Sequence, residues 1–113
     1  MPPVPKPERK SGKAPRDPLG SAWMAKVARV GCVLCAKTGV GYVATAVHHL
    51  RDGQGAGQRA QDFLTIALCY EHHQGSGGYH RLGPQGFYQR YKLDELDCLS
   101  LTIEAVARMD AQG

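Results

Sequence analysis

Residues 69–80, CYEHHQGSGGYH, gather one cysteine and three of the chain's five histidines into twelve positions. Thiolate and imidazole are the side chains that hold transition metals, and imidazole also moves protons near neutral pH. The other two histidines are adjacent, His48 and His49 in AVHHL, and two further cysteines, Cys32 and Cys35, form CVLC. Two thiolates separated by two residues can bind one Zn²⁺ from a tight knuckle, and zinc needs four ligands in tetrahedral array. Cys69 and His72 repeat the spacing as C-x2-H. Cys32, Cys35, Cys69 and His72 are therefore the expected ligands of a structural Zn²⁺. A zinc-finger pairing of CVLC with His48 and His49 has the right intervening length, but that finger needs histidines three to five residues apart on a helix. Neighbours on a strand point to opposite faces and cannot both reach one ion.

That opposition suits a division of labour. One ring of the pair can position a cation while its neighbour, overhanging the same cleft, acts as a general base. With His72 in the knuckle, His73 points elsewhere on its helix and can complete a second metal site with His80. The expected catalytic-metal ligands are then His48, His73 and His80, with His49 as base. The glycines of QGSGGY are expected to let the chain leave the helix and return His80 to the metal.

The elements that position these groups follow from pattern. Ser21 is a candidate N-cap for a first helix with an apolar stripe of Trp23, Val27 and Val30, ended by Gly31 just before CVLC. YVATAVHHL, from Tyr42, is rich in β-branched residues and reads as a strand, RDGQGAGQRAQD as a polar loop, and FLTIALC as the strand that pairs back. Helix is expected to resume around His72, break at GSGG and restart after Pro84. A last helix from near Asp94 should bury Leu96, Leu99, Ile103 and Val106 and fray at 111–113. Asp94, Glu95 and Asp97 read as charges complementing its dipole. Cys98 reads as a small buried apolar residue, and Trp23, Phe87, Tyr88 and Tyr91 read as core.

At 113 residues the chain has room for one modest core. No apolar run is expected to reach the ~20 residues that cross a membrane, so no membrane partner is expected. The N-terminus offers prolines and lysines rather than a signal's apolar stretch, which favours metal-bound cysteines over disulfides. Charge is uneven: residues 1–20 hold five basic and two acidic residues, the remainder nine and eight. The same twenty residues hold six of the seven prolines and almost no large apolar side chain. Residues 1–20 are thus expected to be a disordered basic, Pro-rich arm, and 21–113 the folded domain. Such an arm suits a polyanion, because each neutralised phosphate releases counterions. The same composition also suits a solubilising tail or linker.

CVLC, AVHHL and IALCYEHHQ in this order resemble the core of HNH endonucleases, the ββα-metal nucleases. PRDPLGSAWM and HRLGPQGFYQRY are similar to the phage and prophage branch that includes the RecA-dependent nuclease Ref and YbcO-like proteins. The resemblance covers roughly residues 15–92. It implies an α+β fold, a small ββα-metal unit with a structural zinc knuckle and flanking helices. It implies a DNA endonuclease in which His49 activates water and His48 and His73 hold a catalytic divalent cation (Mg²⁺, Mn²⁺ or Zn²⁺). Cys32, Cys35, Cys69 and His72 match the structural zinc site. The chain contains no asparagine, so Asp62 or Gln61 is expected to orient His49. Arg51, Arg59 and Arg81 are expected to grip the DNA backbone. The implied partners are DNA and a RecA filament, and the implied setting is the cytoplasm of a bacterial host, the gene being carried by a phage or prophage. The alternative is a non-catalytic zinc module that binds nucleic acid or a recombination protein. If residues 1–20 make phosphate contacts, deleting them should flatten the slope of log K for DNA against log salt. An unchanged slope would leave the arm without a role in binding.

Overall fold

The computed structural model describes residues 17–51 and 61–113. Asp17 and Pro18 set the first element. The Asp17 carboxylate accepts the Leu19 N–H at 3.0 Å, and Pro18 occupies the first helical position, where its missing donor costs nothing. Helix α1 therefore spans Pro18–Val30 and begins three residues before the expected Ser21 cap. The arm boundary moves with it, since residues 18–20 are helical and Gly20 is buried. The rest of the arm, residues 1–16, lies outside the described residues.

Gly31, at φ 84°, ends α1. CVLC then forms a short helix, α2 (Val33–Lys37), with Cys32 as its cap: the Cys35 N–H donates to the Cys32 sulfur at 3.4 Å. The stretch Pro18–Lys37 is apolar enough by length and composition to cross a membrane, which corrects the expectation that no such run exists. In the fold it is two helices broken at Gly31, with Val27, Val33 and Leu34 packed into the core.

The strands are shorter than their β-branched flanks suggest: β1 is Ala46–His49 and β2 is Thr65–Leu68. They pair antiparallel, with His48 opposite Ile66 and His49 opposite Thr65. The connection RDGQGAGQRAQD falls largely on residues 52–60, outside the described residues. All four β2 residues are buried, because α1 and the last helix both pack on this strand. Its Ala67 N–H donates to Thr102 Oγ1 at 3.2 Å, so a helix side chain satisfies a donor that a two-stranded sheet leaves open.

Helix α3 (Tyr70–His73) starts directly from Cys69, two residues before its expected onset. Helix α4 (Tyr79–Tyr91) begins ahead of Pro84 and bends at Gly83, whose φ of 74° a side chain would resist. Phe87 is buried between Tyr79 and Tyr91, whereas Tyr88, expected in the core, is half exposed.

Helix α5 (Glu95–Gln112) opens on a capping box between Asp94 and Asp97. Its buried face is Glu95, Cys98, Leu99, Thr102 and Val106. The expected stripe is corrected at two positions, for Leu96 and Ile103 are 53% and 45% exposed. The helix has turned a carboxylate inward in place of a leucine, for a reason found in the site below.

The cap at Asp17 generates a prediction. A chain lacking residues 1–16 should melt like the full chain, whereas a chain lacking residues 1–20 loses the cap and the first turn. Loss of an N-cap costs roughly 0.5–2 kcal/mol, so its thermal midpoint should fall by several degrees. Equal midpoints for the two truncations would remove α1's first turn from the stable fold.

Candidate metal centre and histidine cluster

The knuckle cysteines meet at the end of β2. Cys32 caps α2, Cys35 lies in its first turn, Cys69 caps α3 and His72 follows on that helix. The His72 Nδ1 atom lies 3.4, 3.6 and 3.3 Å from the sulfurs of Cys32, Cys35 and Cys69, and the Cys35 and Cys69 sulfurs are 3.8 Å apart. A tetrahedral zinc with bonds of about 2.3 Å to sulfur and 2.0–2.1 Å to nitrogen separates its ligands by roughly 3.5–3.8 Å. The four residues expected from spacing alone thus form a Cys3His cluster that can hold a metal, consistent with structural zinc. The chemistry of the donors agrees. Burial, then the neighbouring Cys32 and Cys69, pushes the Cys35 thiol up to about 12. Thiolates packed this closely need a cation among them. Burial also lowers the His72 pKa, which keeps its ring neutral and able to coordinate.

The second cluster is built one residue further along. His73 and His80 bring their Nε2 atoms to 3.1 Å, and the ring of His48 lies 5.0 and 5.1 Å from theirs. One nitrogen from each of the three lies within 4.8 Å of the others, so they too can hold a metal ion. Adjacent nitrogens on an ion with bonds of about 2.1 Å sit roughly 3.0–3.4 Å apart, which the His73–His80 pair matches. Burial, reinforced by His48 and His80, depresses His73 to about 4, and burial likewise lowers His80. Both rings are neutral at pH 7 and offer lone pairs. The Nδ1 atom of His48 is buried with no hydrogen-bond partner among the described residues. A buried ring nitrogen without a hydrogen-bond partner, on a histidine grouped with two neutral imidazoles, fits a metal ligand.

The loop between His73 and His80 works by close packing rather than by free turning. A Cβ at Gly78 would stand 2.7–2.8 Å from the His73 and Gln74 backbone, and one at Gly77 would stand 2.6 Å from the Tyr91 hydroxyl. None of Gly75, Gly77 and Gly78 has a positive φ; the sequence uses glycine there because the loop lies directly on α3. Glu71 holds it down, accepting the Gly77 N–H at 2.8 Å and the Ser76 hydroxyl at 3.1 Å. These bonds, the Gly77 one foremost, draw the Glu71 pKa below its usual range. Tyr91 donates to the Gly77 carbonyl at 2.6 Å from the other side. Neither Glu71 nor Tyr91 was expected at the site, and contacts five and fourteen residues away leave no local signal.

His49 faces away from the cluster, as strand alternation requires. Its Nε2–H donates to Asp62 Oδ1 at 3.0 Å, in a pair 15% and 18% exposed. Between the two expected orienters, Asp62 is the one bonded. Arg51 lies close enough to His80 for its charge to help lower that ring's pKa. Arg81 follows His80 with an exposed side chain, and Arg59 lies outside the described residues. Glu95, read from sequence as a dipole charge, is instead buried against His48, with Oε2 2.5 Å from Nε2. The available clue was that Asp94 and Asp97 complete the cap without it.

No protein-family model, curated protein or solved structure matches the chain.

Cys69→Ala should reduce bound zinc from one ion per chain toward none and lower the thermal midpoint sharply, because it deletes the ligand that joins β2 to α3. Cys98→Ala is the control. That thiol is buried on α5, where burial raises its pKa to about 12, and its loss should leave zinc content unchanged. Full zinc occupancy in the Cys69 variant, measured by mass spectrometry of the metal, would remove Cys69 from the ligand set.

Proposed function

We propose that the chain is a metal-dependent DNA endonuclease of the HNH type, nicking phosphodiester bonds by hydrolysis in phage recombination or DNA processing. The observation that carries this reading is the split of one histidine dipeptide between two environments. His48 joins a cluster with His73 and His80, while His49, on the opposite face of β1, pairs with the Asp62 carboxylate. A binding module has no use for a carboxylate-paired imidazole that follows, in the chain, a member of a second set of metal donors.

The residues divide the chemistry as follows. His48, His73 and His80 would hold a divalent cation, and when bound it would supply Lewis-acid stabilisation of the charge that develops on the leaving oxygen. Asp62 keeps a proton on Nε2 of His49, so Nδ1 carries the lone pair that takes a proton from the attacking water. The imidazolium then formed is stabilised by the same carboxylate. Arg51, whose charge reaches His80, and Arg81, the exposed residue after it, suit contacts to the phosphate backbone, and such contacts carry no sequence information. One base and one cation suit cutting one strand at a time. On this reading the partners are DNA and a RecA filament, and the protein acts in the cytoplasm of a bacterial host.

Supercoiled plasmid with Mg²⁺, Mn²⁺ or Zn²⁺ tests the proposal, and wild type should convert it to the nicked circle. His49→Ala should keep fold, zinc and most DNA affinity while nicking ~10²- to 10⁴-fold more slowly, the usual contribution of a positioned base. His48→Ala should instead raise the cation concentration needed for activity. Wild-type nicking by folded His49→Ala would displace the base. A wild type that never cuts, with any of these metals and with RecA filaments supplied, would make the chain a zinc module for nucleic acid or a recombination protein.

A further inference from the structure

Glu95 occupies the first position of α5 yet is only 4% exposed, while its neighbour Leu96 is 53% exposed. A helix start needs no such carboxylate here, because Asp94 and Asp97 already exchange side-chain and backbone bonds across the first turn. Burying a carboxylate instead of a leucine is unfavourable unless its oxygens are bonded. They are bonded to a particular set of groups. Oε2 accepts from Nε2 of His48, 1% exposed, at 2.5 Å, and both oxygens lie 2.9 Å from the Arg51 N–H that donates to them. Glu95 thereby ties α5 to the end of β1.

The consequence for His48 is chemical. A neutral imidazole has one N–H and one lone pair, on opposite nitrogens. A carboxylate at Nε2 fixes the proton there and leaves the lone pair on Nδ1, the buried atom that has no other partner among the described residues. We infer that Glu95 is a positioning residue for the histidine cluster: it holds His48 in the Nε2–H form and aims Nδ1 at the cation shared with His73 and His80. This inference rests on the cation-binding role proposed above for the three histidines. Carboxylates that accept from the distal nitrogen of a ligating histidine raise its basicity and fix its ring, and losing one typically costs 10- to 100-fold in metal affinity.

Glu95→Gln is the informative change because it keeps shape but reverses polarity at one atom. With its amide oxygen toward the Arg51 N–H, its NH2 faces Nε2 of His48 and favours the tautomer whose proton blocks Nδ1. On zinc-loaded protein, Mn²⁺ titration followed by electron paramagnetic resonance should show a Kd raised about 10- to 100-fold. Zinc stoichiometry should remain one per chain. Long-range ¹⁵N NMR of wild type before Mn²⁺ is added should show His48 as the Nε2–H tautomer, and this measurement stands even if the variant fails to fold. A wild-type Nδ1–H tautomer, or a folded Glu95→Gln protein with wild-type Mn²⁺ affinity, overturns the inference. The two proposals separate cleanly in the same samples. Wild type that binds Mn²⁺ more tightly than Glu95→Gln but leaves plasmid intact overturns the nuclease reading alone, and wild type that nicks plasmid while both bind Mn²⁺ equally overturns this one alone.

Discussion

Three buried sulfurs and one imidazole converge at tetrahedral spacing, and the rest of the molecule is organised around that convergence. The domain is small, its strands are four residues each, and α2 and α3 are too short to persist alone. A metal held at the junction of these pieces would tie α2, the end of β2 and α3 together, and its binding free energy would also be folding free energy. The Cys35 thiol, pushed up by burial and by its neighbours, expresses the same constraint from the other side.

The histidine cluster inherits its geometry from that junction. His72 and His73 are consecutive on one helical turn, so the ring that completes the Cys3His set fixes where the next ring stands. The loop after it is clamped against the same turn by Glu71 and Tyr91, at a distance only glycine permits. Two candidate metal sites are thus mechanically joined through four residues, and a disturbance at the cysteines reaches the histidines without crossing the core.

A second path runs through α5. Its inward face carries Thr102, which bonds the open edge of β2, and Glu95, which bonds the end of β1 and His48. Both are polar residues at core positions, and both have their partners, which is the condition for burying them. The hydropathy pattern of the helix is distorted accordingly, with Leu96 and Ile103 turned out.

The four knuckle ligands, the histidine trio and the antiparallel pairing of the two strands were legible in the chain itself. Paired C-x2-C and C-x2-H spacings, adjacent histidines on a β-branched run and a hairpin pattern each constrain geometry over a few residues, where covalent reach dominates. The sequence also carries the Asp17–Pro18 and Asp94–Asp97 caps, the first of them four residues ahead of the competing cap signal at Ser21. Tertiary structure alone decided the rest: Asp62 rather than Gln61 beneath His49, Glu71 and Tyr91 on the glycine loop, and Glu95 against His48. These partners are separated by 6 to 47 residues. Which of several carboxylates turns inward depends on how helices pack around an imidazole that must be hydrogen-bonded, and no local periodicity encodes that choice.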